Sequence, residues 1–440
     1  MPDIYNIFIC TFQLLLRVEV DNQYHFKINY ICKDKSWPSM INKRTNLWWG
    51  PPENFSERKN ERNISWLELF YDLVYVAAIS QLTHHIAAHP SWNTLGYSLL
   101  LFSLIFWSWV NGSQYYDLHG NDSIRTRLFT FLQMLSVAAI AITIQDTFEG
   151  YHQGFAIAFV VMQGIITYLW WSTGQYDPSH KALNIYYIIN YSIALILLIV
   201  SVFTNYHTAT ILWVAALLFN LTAPLTGAHN IVKILKNRGQ VLSASATIVE
   251  RFGLFTIIVL AESILGTVTG IAEVKQKQPA VWIAFILAIL IAFLLWSLYF
   301  DMTSEQETKK GYQYMQWLVF LHYPLLASLS VVGACIKVLL ADMEAGPPLN
   351  IQWMFCVSLS IVLFMIIGIS GIMKEEKEDR AYIRPVSKAL LVTGTCILII
   401  PLFGHYLNTL TFLAIISAIL FFPVFIGIRG WVLYKFFNKE

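Results

Sequence analysis

Apolar stretches near the ~20 residues needed to cross a bilayer recur from about residue 65 almost to the C-terminus. No other feature limits the possible folds so severely. Inside hydrocarbon every backbone polar group needs an internal partner, so only helices and closed barrels can span it. A barrel would show ~10-residue segments of alternating hydrophobicity, and the stretches here are twice that long and continuously apolar. The composition agrees: 56% hydrophobic and 13% charged, against roughly 25% charged in soluble domains. The sequence therefore predicts an all-α polytopic membrane protein.

Polar or Gly/Pro-containing turns divide the chain into twelve predicted spans, near 65–88, 96–116, 128–145, 153–173, 183–203, 208–228, 248–272, 280–300, 313–340, 351–373, 388–405 and 408–430. Lysine and arginine collect after the even-numbered spans: Arg125 and Arg127, Lys181, Lys233 to Arg238, Lys309 and Lys310, and Lys374 to Lys388. The connections after odd-numbered spans carry Lys275, Lys277 and Lys337. That bias assigns the even-numbered connections and both termini to the cytoplasm. A net charge of +2 without a basic block gives no reason to expect nucleic acid. The expected partners are the bilayer and a small solute or ion, and the sequence does not fix an oligomeric state.

Residues 1–39 read differently. Ile7 to Leu16 is apolar but lacks a preceding basic region and a small-residue cleavage site. Met40 reads as the natural start, making 1–39 an upstream extension and 40–64 a cytoplasmic lead-in. The remaining organisation is a first six-span repeat (65–230), a linker (231–247), a second six-span repeat (248–434) and a short tail (435–440).

The repeat rests on matched segments. Ser65-x-x-Glu68 opens WLELFYDLVYVAAISQL, and Thr247-x-x-Glu250 opens IVERFGLFTIIVLAESIL. Aligning Glu68 with Glu250 sets Phe70 on Phe252 and Ser80 opposite Glu262. The second spans end alike, at Asp117 and Asp301, and the third spans set Gln133 against His322. Six spans per half require parallel repeats, whose interface commonly encloses a site or path.

Ionisable groups inside spans are expensive and usually functional. Glu68 and Glu250 both fit a capping box, a structural role at a helix start. Asp72 lies one turn beyond Glu68 on the same face, so the two carboxylates should repel, or share a proton or cation; a salt bridge to a neighbouring helix is the alternative. Glu262, without a counterpart in the first half, is the strongest functional candidate, and Arg251 could line the same path. Asp117 and Asp301 sit where the helix macrodipole disfavours an acid. Each calls for a partner, with Arg251 the expected one for Asp301. His322 could titrate, ligate or serve as a hydrogen-bonded core residue. His84, His85 and His89 read as a solvated cluster, since no cysteine or carboxylate completes a metal set. No phosphate-binding glycine loop or hydrolase motif is present, and neither a metal nor a cofactor is expected.

With both signature helices in hand, the sequence resembles the bacterial low temperature requirement protein A family. The similarity rests on ELFYDLVYVAAISQL from Glu68, ERFGLFTIIVLAESIL from Glu250 and WSLYFD from Trp296 to Asp301, and covers roughly residues 46–430. The resemblance implies a multi-pass inner-membrane protein required for growth in the cold, with signature residues at Glu68, Asp72, Glu250, Arg251, Glu262 and Asp301; it supplies no reaction. Ala261 stands where family members often have glycine. Three functions follow as expectations: a secondary transporter or channel with Asp72, Glu262, Arg251 and His322 along its path; a membrane-embedded lipid-modifying enzyme; and a sensor or scaffold.

Overall fold

The computed structural model describes Gly50, Pro52 and residues 64–121, 123–176, 178–228, 232–233, 236, 243–303, 307–343, 346–374 and 379–437. The chain divides into two units, 1–50 and 51–440, and the helical architecture belongs to the second. The expected extension at 1–39 and nearly all of the lead-in lie outside the described residues.

Twelve long α-helices follow one another among the described residues. The first six are α1 (Trp66–Ala88), α2 (Trp92–His119), α3 (Ile124–Phe148), α4 (Gln153–Tyr176), α5 (Pro178–Val202) and α6 (Tyr206–Thr226). The second six are α7 (Ala246–Glu273), α8 (Pro279–Thr303), α9 (Tyr312–Ala341), α10 (Leu349–Ile372), α11 (Asp379–Ile399) and α12 (Thr409–Phe437). A 3-10 segment, Ile400–Tyr406, continues α11. The only extended pairing among the described residues is an isolated bridge between Thr308 and Met373.

Short polar caps start the helices. Ser65, Ser91, Ser123, Asn205 and Ser245 each accept a hydrogen bond from a backbone N–H three residues on, satisfying a donor that the first turn leaves free. Eleven of the helices are long and apolar enough to cross a membrane, so the protein is a multi-pass membrane protein. The one outside that set is α1. At 23 residues it has the length, but Glu68, Asp72, His84 and His85 lower its apolarity.

In the first six helices, α1 packs on α2 and α3, α3 on α4, α4 on α5, α5 on α6, and α2 on α4 and α6. In the second six, α7 packs on α8 and α9, α9 on α10, α10 on α11, α11 on α12, and α8 on α10 and α12. Between the sets, α1 and α2 both pack against α7 and α9. The polar helix α1 thus sits among helices of both sets.

The α7–α9 contact is a close backbone approach. A Cβ added to Gly266 would lie 2.6 Å from the Gly333 carbonyl oxygen, and one on Gly270 would lie 2.8 Å from that of Lys337. Gly266-Thr-Val-Thr-Gly270 is therefore a small-xxx-small stripe. It lets two apolar helices gain dispersion contacts where lipid supplies no hydrophobic drive to associate.

Candidate functional site

Two clusters of ionisable side chains lie where α1 meets α7 and α9. The first is built on the opening turns of α1. Ser65 caps that helix and its backbone N–H donates to Glu68 Oε2 at 2.9 Å, while Glu68 N–H donates to Ser65 Oγ at 3.3 Å, completing a capping box. The other carboxyl oxygen of Glu68 faces Arg251 of α7, with Nη1 3.5 Å from Oε1. One turn further along, Asp72 takes a two-pronged contact from the same guanidinium: Nη2 donates to Oδ1 at 2.6 Å and Nε to Oδ2 at 3.3 Å. The indole N–H of Trp109 in α2 donates to Asp72 Oδ1 at 2.7 Å. All three charged side chains are at most 1% exposed. A fork–fork geometry of this kind adds direction to charge attraction. It also resolves the repulsion expected between Glu68 and Asp72, since one guanidinium lies against both.

Aromatic rings wall this cluster. Arg251 lies 5.8 Å from the Tyr71 ring centroid and 5.9 Å from that of Trp109, within cation–π range. Trp109 stacks on Phe255 at 4.2 Å and meets Phe252 edge-on at 5.0 Å. Behind Tyr71, a chain of hydroxyls runs from Tyr71 to Tyr75 (3.0 Å) and from Tyr75 to Ser108 (3.2 Å). This arrangement excludes water and fixes α1, α2 and α7 together.

The second cluster surrounds Glu262, eleven residues beyond Arg251 on α7 and about 16 Å along the helix. Glu262 is 5% exposed, and the Ser80 side chain of α1 is its polar neighbour. It lines a small cavity with Thr83 and His84 of α1, Leu265 and Gly266 of α7, and Gly333 and Lys337 of α9. The space suits about one water molecule. Lys337 is the cation nearest to hand, but its Nζ is engaged with Glu273 at 3.2 Å. Glu262 thus has a hydroxyl neighbour and no ion-pair partner among the described residues. The close packing of Gly266 and Gly333 brings the Glu262 backbone against α9, where a Cβ at Gly333 would lie 3.1 Å from the Glu262 carbonyl carbon.

Other predicted sites fall elsewhere. Arg251 does not serve Asp301, which is exposed and accepts from Ser297 Oγ at 2.8 Å; the guanidinium points to the other side of α7, into α1. Glu250 does not cap its helix. The chain turns helical at Ala246 with Ser245 as cap, which leaves Glu250 beyond the capping-box position and exposed. The difference arises because Ser245, two residues before Thr247, already satisfies the Ile248 N–H at 3.0 Å. Asp117 takes a hydrogen bond from Ser245 Oγ at 2.5 Å, tying the end of α2 to the start of α7. His322 is held at both ring nitrogens, by Tyr299 Oη at 2.9 Å and the Leu318 carbonyl oxygen at 2.7 Å. Of the three α1-end histidines, His85 is buried rather than solvated: it stacks on Phe148 at 3.6 Å and contacts Gln145 Oε1 at 3.2 Å. No group of three metal-ligating side chains occurs among the described residues.

Trp109 and Tyr71 carried no sequence signal that set them apart from the chain's many other membrane aromatics. Lys337 did carry one: a charge lying inside α9, four residues before its end, rather than in a connection as the sequence alone suggested.

A bundle of long apolar helices with charge buried between them defines a polytopic α-helical membrane protein. The profile of the bacterial low temperature requirement A protein (LtrA) matches residues 63–424, and the chain belongs to that family. It is also 25% identical, over 263 residues, to an uncharacterised protein of Rhizobium meliloti (strain 1021). The match covers 58% of this chain and 62% of that protein's length.

Proposed function

We propose that the chain is a secondary transporter or channel that passes an ion or small solute through a bacterial inner membrane, with both termini in the cytoplasm. Glu262 carries the reading. It is a buried carboxylate beside a cavity at a junction of helices from both sets, with no cation bound to it among the described residues. An uncompensated charge is too expensive in such a place to be kept as packing alone. A site that binds a proton or cation and lets it go again accounts for it. In the same reading Asp72 and Arg251 form a closed contact on the path rather than a binding site, because each already satisfies the other.

We further propose that the two sets of six helices are parallel repeats. In support, the same order of neighbours recurs in each set, and Ser80 and Glu262, opposite one another in the sequence alignment, are neighbours in space. The lipid-modifying alternative loses His322 as a free acid–base group, since it is bonded at both nitrogens, and is left with Glu262 alone.

Reconstitution tests the reading. Purified protein in liposomes should dissipate an imposed proton or alkali-cation gradient, and Glu262→Gln should reduce that flux at least tenfold while leaving the protein folded. Equal flux from the variant and the parent protein, or none from either with any cation tried, would refute it.

A further inference from the structure

Lys337 is one cation placed between two carboxylates. It belongs to α9 and lines the same water-sized cavity as Glu262, yet its Nζ pairs with Glu273 at 3.2 Å. The helix contacts show how it comes to lie between them. A Cβ on Gly333 would lie 3.1 Å from the Glu262 carbonyl carbon, one on Gly266 3.6 Å from Lys337 Cβ, and one on Gly270 2.8 Å from the Lys337 carbonyl oxygen. Contacting positions on α7 and α9 rise together, so the two helices run parallel, with Lys337 seated between Gly266 and Gly270. Glu262 lies about one turn before that seat and Glu273 about one turn after it. Lysine holds its ammonium on a flexible four-carbon stem, and helix side chains lean toward the helix N-terminus. Turned along that lean, Lys337 approaches Glu262; turned against it, the ammonium reaches Glu273, as observed.

The two acids differ in surroundings. Glu262 is 5% exposed. Glu273 ends α7 beside the polar turn Lys275 to Gln278, and its side chain is 55% exposed. A bare carboxylate at Glu262 bears a desolvation cost that water removes at Glu273. With a proton on Glu262 that group is neutral, and Lys337 stays on Glu273. When the proton passes to cavity water, one negative charge appears in a low-dielectric place. The ammonium cancels it by leaving Glu273, whose own charge solvent then screens.

A metal ion fits this lining poorly. Hard cations take about six oxygen ligands. The lining offers the Glu262 carboxylate and the Thr83 hydroxyl, which donates to the Ile79 carbonyl oxygen at 3.1 Å, with Ser80 beside them. The rest is Leu265, two glycines, the His84 ring of α1 and the Lys337 stem and ammonium of α9, which repels a second cation. The other helices packed on α7, α2 and α8, contribute no lining residue.

We propose that Glu262 exchanges a proton rather than a metal cation, and that Lys337 moves from Glu273 to Glu262 as that proton leaves. The proposal rests on reading Glu262 as the transport site and names what the site carries.

Infrared difference spectra of the full-length protein in nanodiscs, stepped through pH, report carboxyl protonation in a band to which His84 does not contribute. A protonated-carboxyl band should titrate in the parent protein and be missing in Glu262→Gln. Lys337→Gln, which lacks the replacing cation, should hold the proton about tenfold more tightly. Sodium or potassium exchanged against choline at constant ionic strength should leave the titration unmoved. A Glu262-dependent shift with either metal overturns the proposal, as does a spectrum in which Glu262→Gln removes no band. Solid-state NMR distances between lysine 15Nζ and glutamate 13Cδ follow the ammonium. A contact seen at low pH should vanish in Glu273→Gln, and one appearing at high pH should vanish in Glu262→Gln. A lysine that keeps its Glu273 contact at every pH overturns the exchange. None of these readouts needs transport, so absence of any flux in liposomes counts against the transport reading alone. Alkali-cation flux with a silent carboxyl band upholds that reading and overturns the proposal.

Discussion

Asp72 and Glu262 are both buried carboxylates in helices that open with related motifs, yet their surroundings are opposite. Asp72 receives two guanidinium nitrogens and an indole N–H. Glu262 has one hydroxyl neighbour and a cavity. A carboxylate saturated by its neighbours holds helices together. One left with spare acceptor capacity can bind and release something. Position inside a span does not separate the two cases; the partner count does.

The largest expected effect breaks the saturated side. Arg251→Met leaves Glu68 and Asp72 without their shared guanidinium, and removing one partner of a buried pair costs about 3–5 kcal/mol. Unfolding in detergent should show a loss of that order. A variant that stays as stable as the parent but loses flux would move Arg251 from the structural to the functional side of the comparison. Next comes the glycine stripe that sets the Glu262 cavity. Gly266→Leu forces a side chain into the Gly333 carbonyl and should cost about 1–3 kcal/mol by overpacking, with the α7–α9 contact loosened. Trp109→Phe keeps a ring against Phe255 but removes one donor to Asp72, an expected loss of about 1.5–3 kcal/mol at most; a double-mutant cycle with Asp72→Asn would show whether the two are coupled. Glu262→Gln should change stability by less than about 1 kcal/mol, since no ion pair is broken. A loss as large as that of Arg251→Met would erase the distinction between the two acids. The smallest effect is Lys337→Gln. Its pair with Glu273 is partly exposed on both sides, and such pairs contribute about 0–1 kcal/mol.

Most helix positions were legible to a few residues because length and apolarity are local properties that the bilayer selects directly, although α11 starts at Asp379 rather than near 388 and α12 runs on to Phe437 rather than ending near 430. The predicted span 248–272, for example, became Ala246–Glu273, and 183–203 became Pro178–Val202. The capping residues of α1 were equally legible, since Ser65 and Glu68 interact within one turn. Legibility failed at Arg251, which the sequence paired with Asp301, and at Glu250, where the actual cap lay two residues upstream. It failed again at Trp109, whose importance depends on which of many aromatic residues meets Asp72.

The sequence by itself determined that the chain is a multi-pass helical membrane protein of the LtrA family, roughly where its helices lie, and which spans carry charge. These follow from runs of neighbouring residues and from caps closed within a turn. Only the tertiary structure decided which charges are compensated. Arg251 meets Asp72 across 179 residues of chain, and Arg125 meets Ser172 across 47. Contacts of that separation are set by how helices pack, and packing depends on shape, such as the Gly266–Gly333 approach, that no local pattern of polarity encodes. The same carboxylate in an apolar run becomes a tie or an open site according to what the neighbouring helix places beside it.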